Sequence, residues 1–399
     1  MKASGRYRVI LTALAIPVAG IILMASLRQL PSSIGRGDFR AYWSTSYLLL
    51  HDQSCSNNAR LLEIQNNETG WSRDYPMRTW NPPWVSAWFL PLALLNFQPA
   101  TRVWLLINIA LVLMSIVLTR RLFLGQDQDK RHLWLLTLGV ILFPSTIVAI
   151  LMGQVNLLVF AGLILFLWLF LAGHDTAAGV ALSLTLFKPH LIYLALLIIL
   201  LVVLKERRWK VILGFGAPIF ISTAIVLLLR PSFILECLTS TSNSSLLSWR
   251  TPTLTTVLQL LLGWWWLRII GILLVPLAIL FWFRNRNRIP FLVIIDLTVI
   301  ASIITSPFGW SYDFVVLLLP MMHIWSWLFS RGIKRREALL ILVINSLIYF
   351  AYYYQRIQTR SELYYFWIPL AIAGLYLWTW RRVQDRDLFP DDFSANNAV

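Results

Sequence analysis

Long apolar runs, each close to a short basic cluster, recur from one end of this sequence to the other, and a water-soluble fold has no use for so many. Each run approaches the roughly 20 residues that a helix needs to cross the hydrocarbon core of a bilayer. Composition agrees: 58% of the 399 residues are hydrophobic and 13% are charged, with a positive mean hydropathy, far from the balance of an ordinary soluble domain. The expectation is an all-α polytopic membrane protein in which residues 1–380 form one transmembrane domain and 381–399 a short cytoplasmic tail.

A net charge of +16 would suit a nucleic-acid partner only if the basic residues formed one surface stripe. They sit instead in short loops between apolar spans, so membrane lipids, not nucleic acid, are the expected surroundings. The first run, Val9–Leu27, follows Lys2, Arg6 and Arg8 in the manner of a signal peptide. It is long and lacks a small-residue cleavage site, so it reads as a retained helix.

Residues 28–97 read as one outer loop. Its polar part, 28–81, mixes five acids with six arginines. Phe39, Tyr42, Trp43, Ser46, Tyr47 and Leu50 recur there at helical spacing, which predicts a helix lying along the membrane interface. Pro82–Phe97 is apolar but short and proline-studded, so it is expected to lie in the interface or to re-enter. Later spans are expected at Val103–Leu118, Leu133–Leu151, Leu157–Leu171, Ala177–Phe187, Leu191–Leu204, Val211–Leu229, Trp264–Phe283, Pro290–Ile304, Phe314–Phe329, Ala338–Tyr354 and Tyr364–Trp380. With the first helix this makes twelve, or ten if the pair around Lys188 only dips into the membrane.

Either number leaves the same parity, which the bias of Lys and Arg toward cytoplasmic loops can test. The clusters at Arg120, Arg121, Lys130 and Arg131, at Lys205–Lys210, at Arg284–Arg288, at Arg331–Arg336 and at Arg381–Arg386 all fall on the side of the N-terminus. Together with the three N-terminal residues they hold 21 of the 34 basic residues, so both termini are placed in the cytoplasm. Aromatic clusters at Trp264–Trp266, Tyr352–Tyr354 and Tyr364–Trp367 then map to outer helix ends, where such rings sit well at headgroup depth.

Four polar interruptions fall on the outer side under this topology: Gly37-Asp38, Gly153-Gln154-Val155-Asn156, Lys188-Pro189-His190, and the segment Ser306–Asp313. Non-helical backbone at membrane depth survives only where protein or a wet cavity satisfies it, and a shared outward cavity would account for all four. Asp38 has two open readings, a helix N-cap or a general base. Lys188 and Asp313, at the ends of apolar spans, can simply reach water. The functional reading rests on coincidence: an acid able to take a hydroxyl proton and cations able to meet an anionic leaving group share one side, with Arg78, Arg230 and Arg250 adding to the positive field.

Asp296 is different, because it lies inside an expected span and needs a partner or a proton; His323 on the next helix reads as packing. Cys55 and Cys237 share no metal or redox spacing. In an oxidising compartment a disulfide between them is possible, but two unrelated thiols are the expected reading. No phosphate loop, dinucleotide fingerprint, zinc array or nucleophile elbow occurs, so no soluble cofactor is expected; the sequence names no metal ligands and leaves a metal requirement open.

Asp38 with Tyr42-Trp43, Tyr75-Pro76, Pro82-Pro83 and Leu90-Pro91-Leu92-Ala93 resembles the opening of glycosyltransferase family 87. Gly153-Gln154-Val155-Asn156, Lys188-Pro189, and Ser306-Pro307 with Trp310 resemble that family's inner signatures in the same order, so the likeness runs from about Asp38 to Pro320. The resemblance implies a GT-C-type bundle of about 10–12 transmembrane helices that moves a sugar, mannose or another hexose or a pentose, from a polyprenyl-phosphate donor to a lipid or cell-envelope glycan acceptor on the non-cytoplasmic face. A bacterial plasma membrane is the expected location.

By the same resemblance Asp38 is the base. Lys188 would stabilise the donor phosphate, and Gln154 and Asn156 would bind sugar hydroxyls or hold the broken helix; Tyr42 and Trp310 from the matching motifs, with Arg78, Arg250 and Asp313 for their charge, complete the expected donor site. This sequence departs from the family where Tyr312 and Asp313 stand in place of a histidine that members often carry after the tryptophan, and where His51–Asn58 replaces a turn of glycine and Asn-Pro-Tyr type. A polytopic transporter or lipid-linked sugar flippase is the rival reading. It would call for inverted repeats and midplane charges, whereas no repeat is visible and the charges gather at one surface.

Overall fold

The structure, a computed structural model, describes residues 34–123, 130–242, 248–329, 333–359 and 361–384. The expected first helix Val9–Leu27 lies outside them, as does most of the tail. Every regular element among the described residues is helical. Five helices are long and apolar enough to cross a membrane: Phe97–Phe123, Trp209–Leu229, Trp265–Asn285, Ser311–Leu328 and Arg336–Gln358. Shorter apolar helices at Asn156–Leu171, Asp175–Phe187, Tyr193–Lys205 and Phe291–Thr305 lie between them in sequence. The chain is therefore a polytopic membrane protein of helices.

Burial sorts the spans by place. Ser311–Leu328 is 89% buried and forms the centre of the bundle, whereas Trp209–Leu229 is 22% buried and shows Leu213, Phe220 and Leu228 to the outside. Such a face suits hydrocarbon, which costs an apolar side chain nothing. Where Trp209–Leu229 meets Asp175–Ser183 the backbones nearly touch: a Cβ on Gly179 would stand 2.1 Å from the carbonyl oxygen of Val211. Small residues at such a crossing let dispersion forces join helices that water does not push together.

Two expectations change. The run Leu133–Leu151 is not one span, because Phe143 is extended and Pro144 starts a new helix, giving Lys130–Ile141 and Pro144–Met152. Proline has no N–H for the preceding turn and forces the residue before it out of the helical region. The 39–50 segment is a helix as the spacing predicts, Phe39–Leu50, but ten of its twelve residues are buried. The helices Asn58–Thr69, Ser86–Ala93 and Phe97–Phe123 cover it. Its polar side chains find partners inside: Arg40 Nε donates to Thr69 Oγ1 at 2.6 Å, and Ser46 Oγ donates to the Ser86 carbonyl at 3.0 Å.

Asp296 is fully buried between three helices. Its Oδ2 lies 2.5 Å from His323 Nδ1 and accepts from the Tyr376 hydroxyl at 2.8 Å. His323 is thus a partner of the buried carboxylate and not mere packing, as the cost of an unpaired polar group in an apolar interior requires. Cys55 and Cys237, expected as unrelated thiols, instead form a disulfide across 182 residues with their Cα atoms 5.6 Å apart.

Candidate active site

The site is built on the break between the helices Pro144–Met152 and Asn156–Leu171. Gly153 ends the first helix with φ +65°, and a Cβ there would stand 2.3 Å from the Gly35 carbonyl oxygen. Only glycine accepts both the left-handed backbone and the contact. The carbonyls exposed at this end are used at once: Gly35 N–H donates to Leu151 and Asp38 N–H to Met152, each at 2.8 Å, while Trp104 Nε1 donates to Gly153 at 2.8 Å. The start of the Phe39–Leu50 helix is thereby fastened to a break more than a hundred residues away in sequence.

Asp38 stands in the N-cap position of that helix, but its side chain makes no capping bond. Its Oδ2 accepts from Gln154 Nε2 and, at 3.1 Å, from the Tyr312 hydroxyl. The carboxylate therefore does not cap the helix and faces the other polar segments instead. Gln154 is fully buried and binds through both ends, since its Oε1 accepts from Tyr42 and from Lys188 Nζ, each at 3.0 Å. Lys188 Nζ also donates to Asp313 Oδ1 at 2.7 Å, and Trp310 N–H donates to Asp313 Oδ2 at 2.8 Å. One network thus joins all four polar interruptions.

Protein surrounds Asp38, although part of its surface stays open to the cavity. Burial raises its carboxyl above the usual carboxylate range; the Lys188 charge and the Tyr312 hydroxyl oppose the shift, and Asp313 adds to it,. Burial lowers His190 to about 4, so its imidazole is neutral near pH 7. A carboxylate whose pKa is raised in this way, as at Asp38, is a better proton acceptor than an exposed one,.

Above the network lies a cavity of about 750 Å³. Asp38, Tyr42, Lys188, Tyr312 and Asp313 line it together with the aromatic rings of Trp71, Tyr75, Trp80, Trp249 and Trp310. Trp80 meets Trp249 edge to face at 4.7 Å, and Trp249 lies 5.8 Å from Trp310. Arg73 and Arg78 add positive charge to the lining, Arg78 Nη1 donating to the Ser240 carbonyl at 2.9 Å. Aromatic faces with scattered polar groups suit the alternating apolar and hydroxylated surfaces of a sugar, and the arginines suit a phosphate.

Asp38, Tyr42, Arg78, Lys188, Trp310 and Asp313, expected from sequence, meet in this lining. Gln154 lies beneath it as the bridge. Asn156 does not reach the lining, since its Nδ2 donates to the Tyr312 carbonyl and so holds the neighbouring segment. The structure does not bring Arg250 to the site: it is exposed and lines no part of the cavity. Arg230 is taken up by Glu236 at 2.8 Å and Asp52 at 2.9 Å. Lys188, expected to face a phosphate, is already paired with Asp313.

Sequence reasoning missed Arg73, Trp249 and the bond from Tyr312 to Asp38. It also missed Arg268, which is buried beneath the aromatic wall. Arg268 donates to Gln259 Oε1 at 2.5 Å, to the Pro307 carbonyl at 3.0 Å and to the Trp249 carbonyl. A lone arginine in an apolar run was the available signal.

No curated protein and no solved structure matches this chain. The family model described as glycosyltransferase family 87 matches residues 79–307, more than half of it. The match includes Gln154, Lys188 and the aromatic wall at Trp80 and Trp249, and stops short of Asp38 on one side and Asp313 on the other. The chain belongs to glycosyltransferase family 87 and is a membrane glycosyltransferase.

Proposed function

We propose that this enzyme transfers a sugar, a hexose and most simply mannose, from a polyprenyl-phosphate carrier to a hydroxyl of a lipid-linked or cell-envelope glycan, with inversion, at the non-cytoplasmic face. The observation that carries the reading is the place of Asp38: a carboxylate with a raised pKa, held at the wall of a cavity lined by aromatic rings and arginines. Asp38 takes the proton of the acceptor hydroxyl as its oxygen attacks the anomeric carbon. The bond from that carbon to the phosphate oxygen breaks, and the polyprenyl phosphate leaves with the electron pair. Tyr312 and Gln154 hold the carboxylate in place, and Arg73 and Arg78 offer positive charge to the leaving phosphate.

Two further observations support the face and the donor. The Cys55–Cys237 disulfide lies on the same side as the site, and disulfides persist in oxidising compartments,. The basic clusters on the opposite side of the bundle fit the bias of Lys and Arg toward cytoplasmic loops and so support this orientation. A site facing away from the cytosol has no access to cytosolic sugar nucleotides, so a sugar carried across on lipid is the available donor. The test incubates the protein in proteoliposomes with radiolabelled polyprenyl-phosphate sugars and an extract of envelope lipids and glycans. Transfer that Asp38→Asn abolishes is expected. Transfer from a sugar nucleotide alone would overturn the donor, and labelling of a cysteine at Arg73 only by reagents on the cytoplasmic side would overturn the face.

A further inference from the structure

Arg268 does not line the cavity, yet it is 1% exposed. It is the one charged residue of the helix Trp265–Leu273, whose Trp265, Ile269 and Ile272 are exposed. A cation withdrawn from water persists only where hydrogen bonds replace its hydration. The helix that carries it is itself fixed. A Cβ on Gly271 would stand 2.5 Å from the Thr305 carbonyl oxygen, and the Tyr193 hydroxyl donates to the Gly271 carbonyl at 2.8 Å. The guanidinium is therefore presented from a rigid base.

A guanidinium holds five N–H donors in one plane, and here they gather oxygens from three stretches of chain. Nε donates to Gln259 Oε1 at 2.5 Å, on the helix Leu254–Leu262. Nη1 donates to Thr251 Oγ1 at 3.3 Å and to the Pro307 carbonyl at 3.0 Å, and Nη2 donates to the Trp249 carbonyl. Trp249 and Pro307 both lie outside any helix, so their carbonyls have no helical ladder to join and must find partners elsewhere,. Both also adjoin the cavity wall. The Trp249 ring lines the cavity, and Pro307 is followed by Phe308, Gly309 and Trp310, which line it too. Trp249 lies 6.2 Å from Phe308 and 5.8 Å from Trp310, and the guanidinium sits 5.5 Å from the Phe308 ring. One side chain thus sets the distance between two halves of an aromatic wall that come from separate loops.

We infer that Arg268 is the positioning residue of this wall: by holding Trp249 and the Pro307–Trp310 turn in one register, it fixes the gap that receives the sugar ring of the donor. The inference rests on the cavity being the sugar site, as proposed above, and not on what carries the sugar. Aromatic faces grip the apolar face of a sugar only at contact distance, so a wall out of register holds it less tightly. The loss falls on the bound sugar before and during transfer alike, which raises KM and leaves kcat nearly unmoved. Lysine does not replace the arginine, because its three donors radiate from one nitrogen and cannot span the oxygens of Gln259, Pro307 and Trp249.

The test measures transfer by the full chain in proteoliposomes as the labelled donor is varied, polyprenyl-phosphate mannose first and a sugar nucleotide if the transfer assay accepts that instead. Arg268→Lys should raise the donor KM about tenfold or more and leave kcat within about twofold. The acid limb of its kcat/KM profile should stay at the same pH, since Asp38 is untouched. Trp249→Ala should raise KM likewise, and the double variant should go no further than the worse single, because both act through one wall. Asp296→Ala, a destabilising change away from the cavity, should leave KM alone. Where Arg268→Lys does not fold, Gln259→Leu decides: it removes one acceptor, keeps the arginine and should raise KM about threefold or more. An unchanged KM in the folded variant, effects of Arg268→Lys and Trp249→Ala that simply multiply, or an equal rise in Asp296→Ala would each overturn the inference. Full transfer by Asp38→Asn would sink the proposed reaction and leave these KM ratios readable.

Discussion

The hydroxyl of Tyr312 donates a 3.1 Å hydrogen bond to the carboxylate of Asp38, 274 residues away in sequence. This bond links the first loop to the start of the most buried span, and it sets both the aim and the charge of the proposed base. A hydrogen bond to a charged group contributes roughly 1.5–3 kcal/mol. Tyr312→Phe keeps the ring and removes only the donor. Turnover per folded molecule should fall roughly ten- to hundredfold, the rate equivalent of that energy. An unchanged rate would mean that Asp38 needs no help from Tyr312.

The pH dependence follows from the direction of the Asp38 shift. Its carboxyl titrates above the ordinary 3.8 because burial disfavours the charged form,. As a base it must be ionised, so kcat/KM should fall as pH drops through that raised value, and Tyr312→Phe should move the fall to higher pH. Stability runs the other way. An acid with a raised folded pKa contributes stability below its unfolded value and loses it as pH rises through the folded one. At neutral pH the ionised Asp38 therefore destabilises the fold, and Asp38→Asn should melt no lower than the natural protein while losing its activity. His190, lowered to about 4, has the opposite sense: the stability it contributes near neutral pH is lost as pH falls below 6.5,. Thermal melts of Asp38→Asn and of His190→Gln across pH, each against the natural protein, check both signs.

Lys188 and Asp313 form a nearly buried pair at 2.7 Å, with side-chain exposures of 11% and 1%. Removing one partner leaves an uncompensated charge, which typically costs about 3–5 kcal/mol. Lys188→Met leaves Asp38 and Asp313 facing each other without their cation, so it should lower both stability and rate. Asp313→Asn leaves Lys188 without its carboxylate. The double variant should recover stability relative to the sum of the singles by roughly 0.5–3 kcal/mol, the usual range for coupled neighbours. Recovery of stability without recovery of turnover would place Lys188 in the reaction as well as in the fold.

The disulfide spans 182 residues. Chain entropy alone would give it up to roughly 5 kcal/mol, and anchoring of the intervening helices in the bilayer lowers that figure by restricting the unfolded chain. Cys55→Ser with Cys237→Ser should still lower the melting temperature measurably, and added reductant should do the same to the natural protein. Identical melts with and without reductant would mean that the bridge ties together parts already fixed by packing.

Much of this architecture was legible in the sequence because lipid leaves so few choices. Apolar runs of spanning length must be helices, and glycine, proline or an amide between them must be sheltered by protein. That argument picks out Gly153-Gln154, Lys188 and Asp313 without any knowledge of their contacts. It does not say which polar groups meet. Tyr312 reads only as a departure from the family's pattern until its hydroxyl is seen on Asp38, and Arg250 reads as a site cation until it is found exposed. The break at Pro144 hides inside an unbroken apolar run, where hydropathy sees one span and only proline's missing N–H reports two,. Periodicity likewise finds the Phe39–Leu50 helix, but a helix covered on both faces by neighbours far along the chain looks interfacial from its own residues alone.

The buried group Asp296, His323 and Tyr376 lies apart from the cavity, since none of the three lines it. Each residue comes from a different helix: Phe291–Thr305, Leu318–Phe329 and Trp367–Gln384. The arrangement fastens three spans at a depth where an unshared carboxylate would be costly. Asp296→Asn keeps an acceptor for Tyr376 and should be tolerated, with turnover per folded molecule unchanged. Asp296→Ala strands His323 and Tyr376 and should lose about 3–5 kcal/mol of stability, the range for a broken buried pair. Yield from detergent and thermal melts read the fold, and sugar transfer read on the same samples separates fastening from chemistry. A protein that folds fully as Asp296→Asn but transfers no sugar would show that this carboxylate takes part in moving protons.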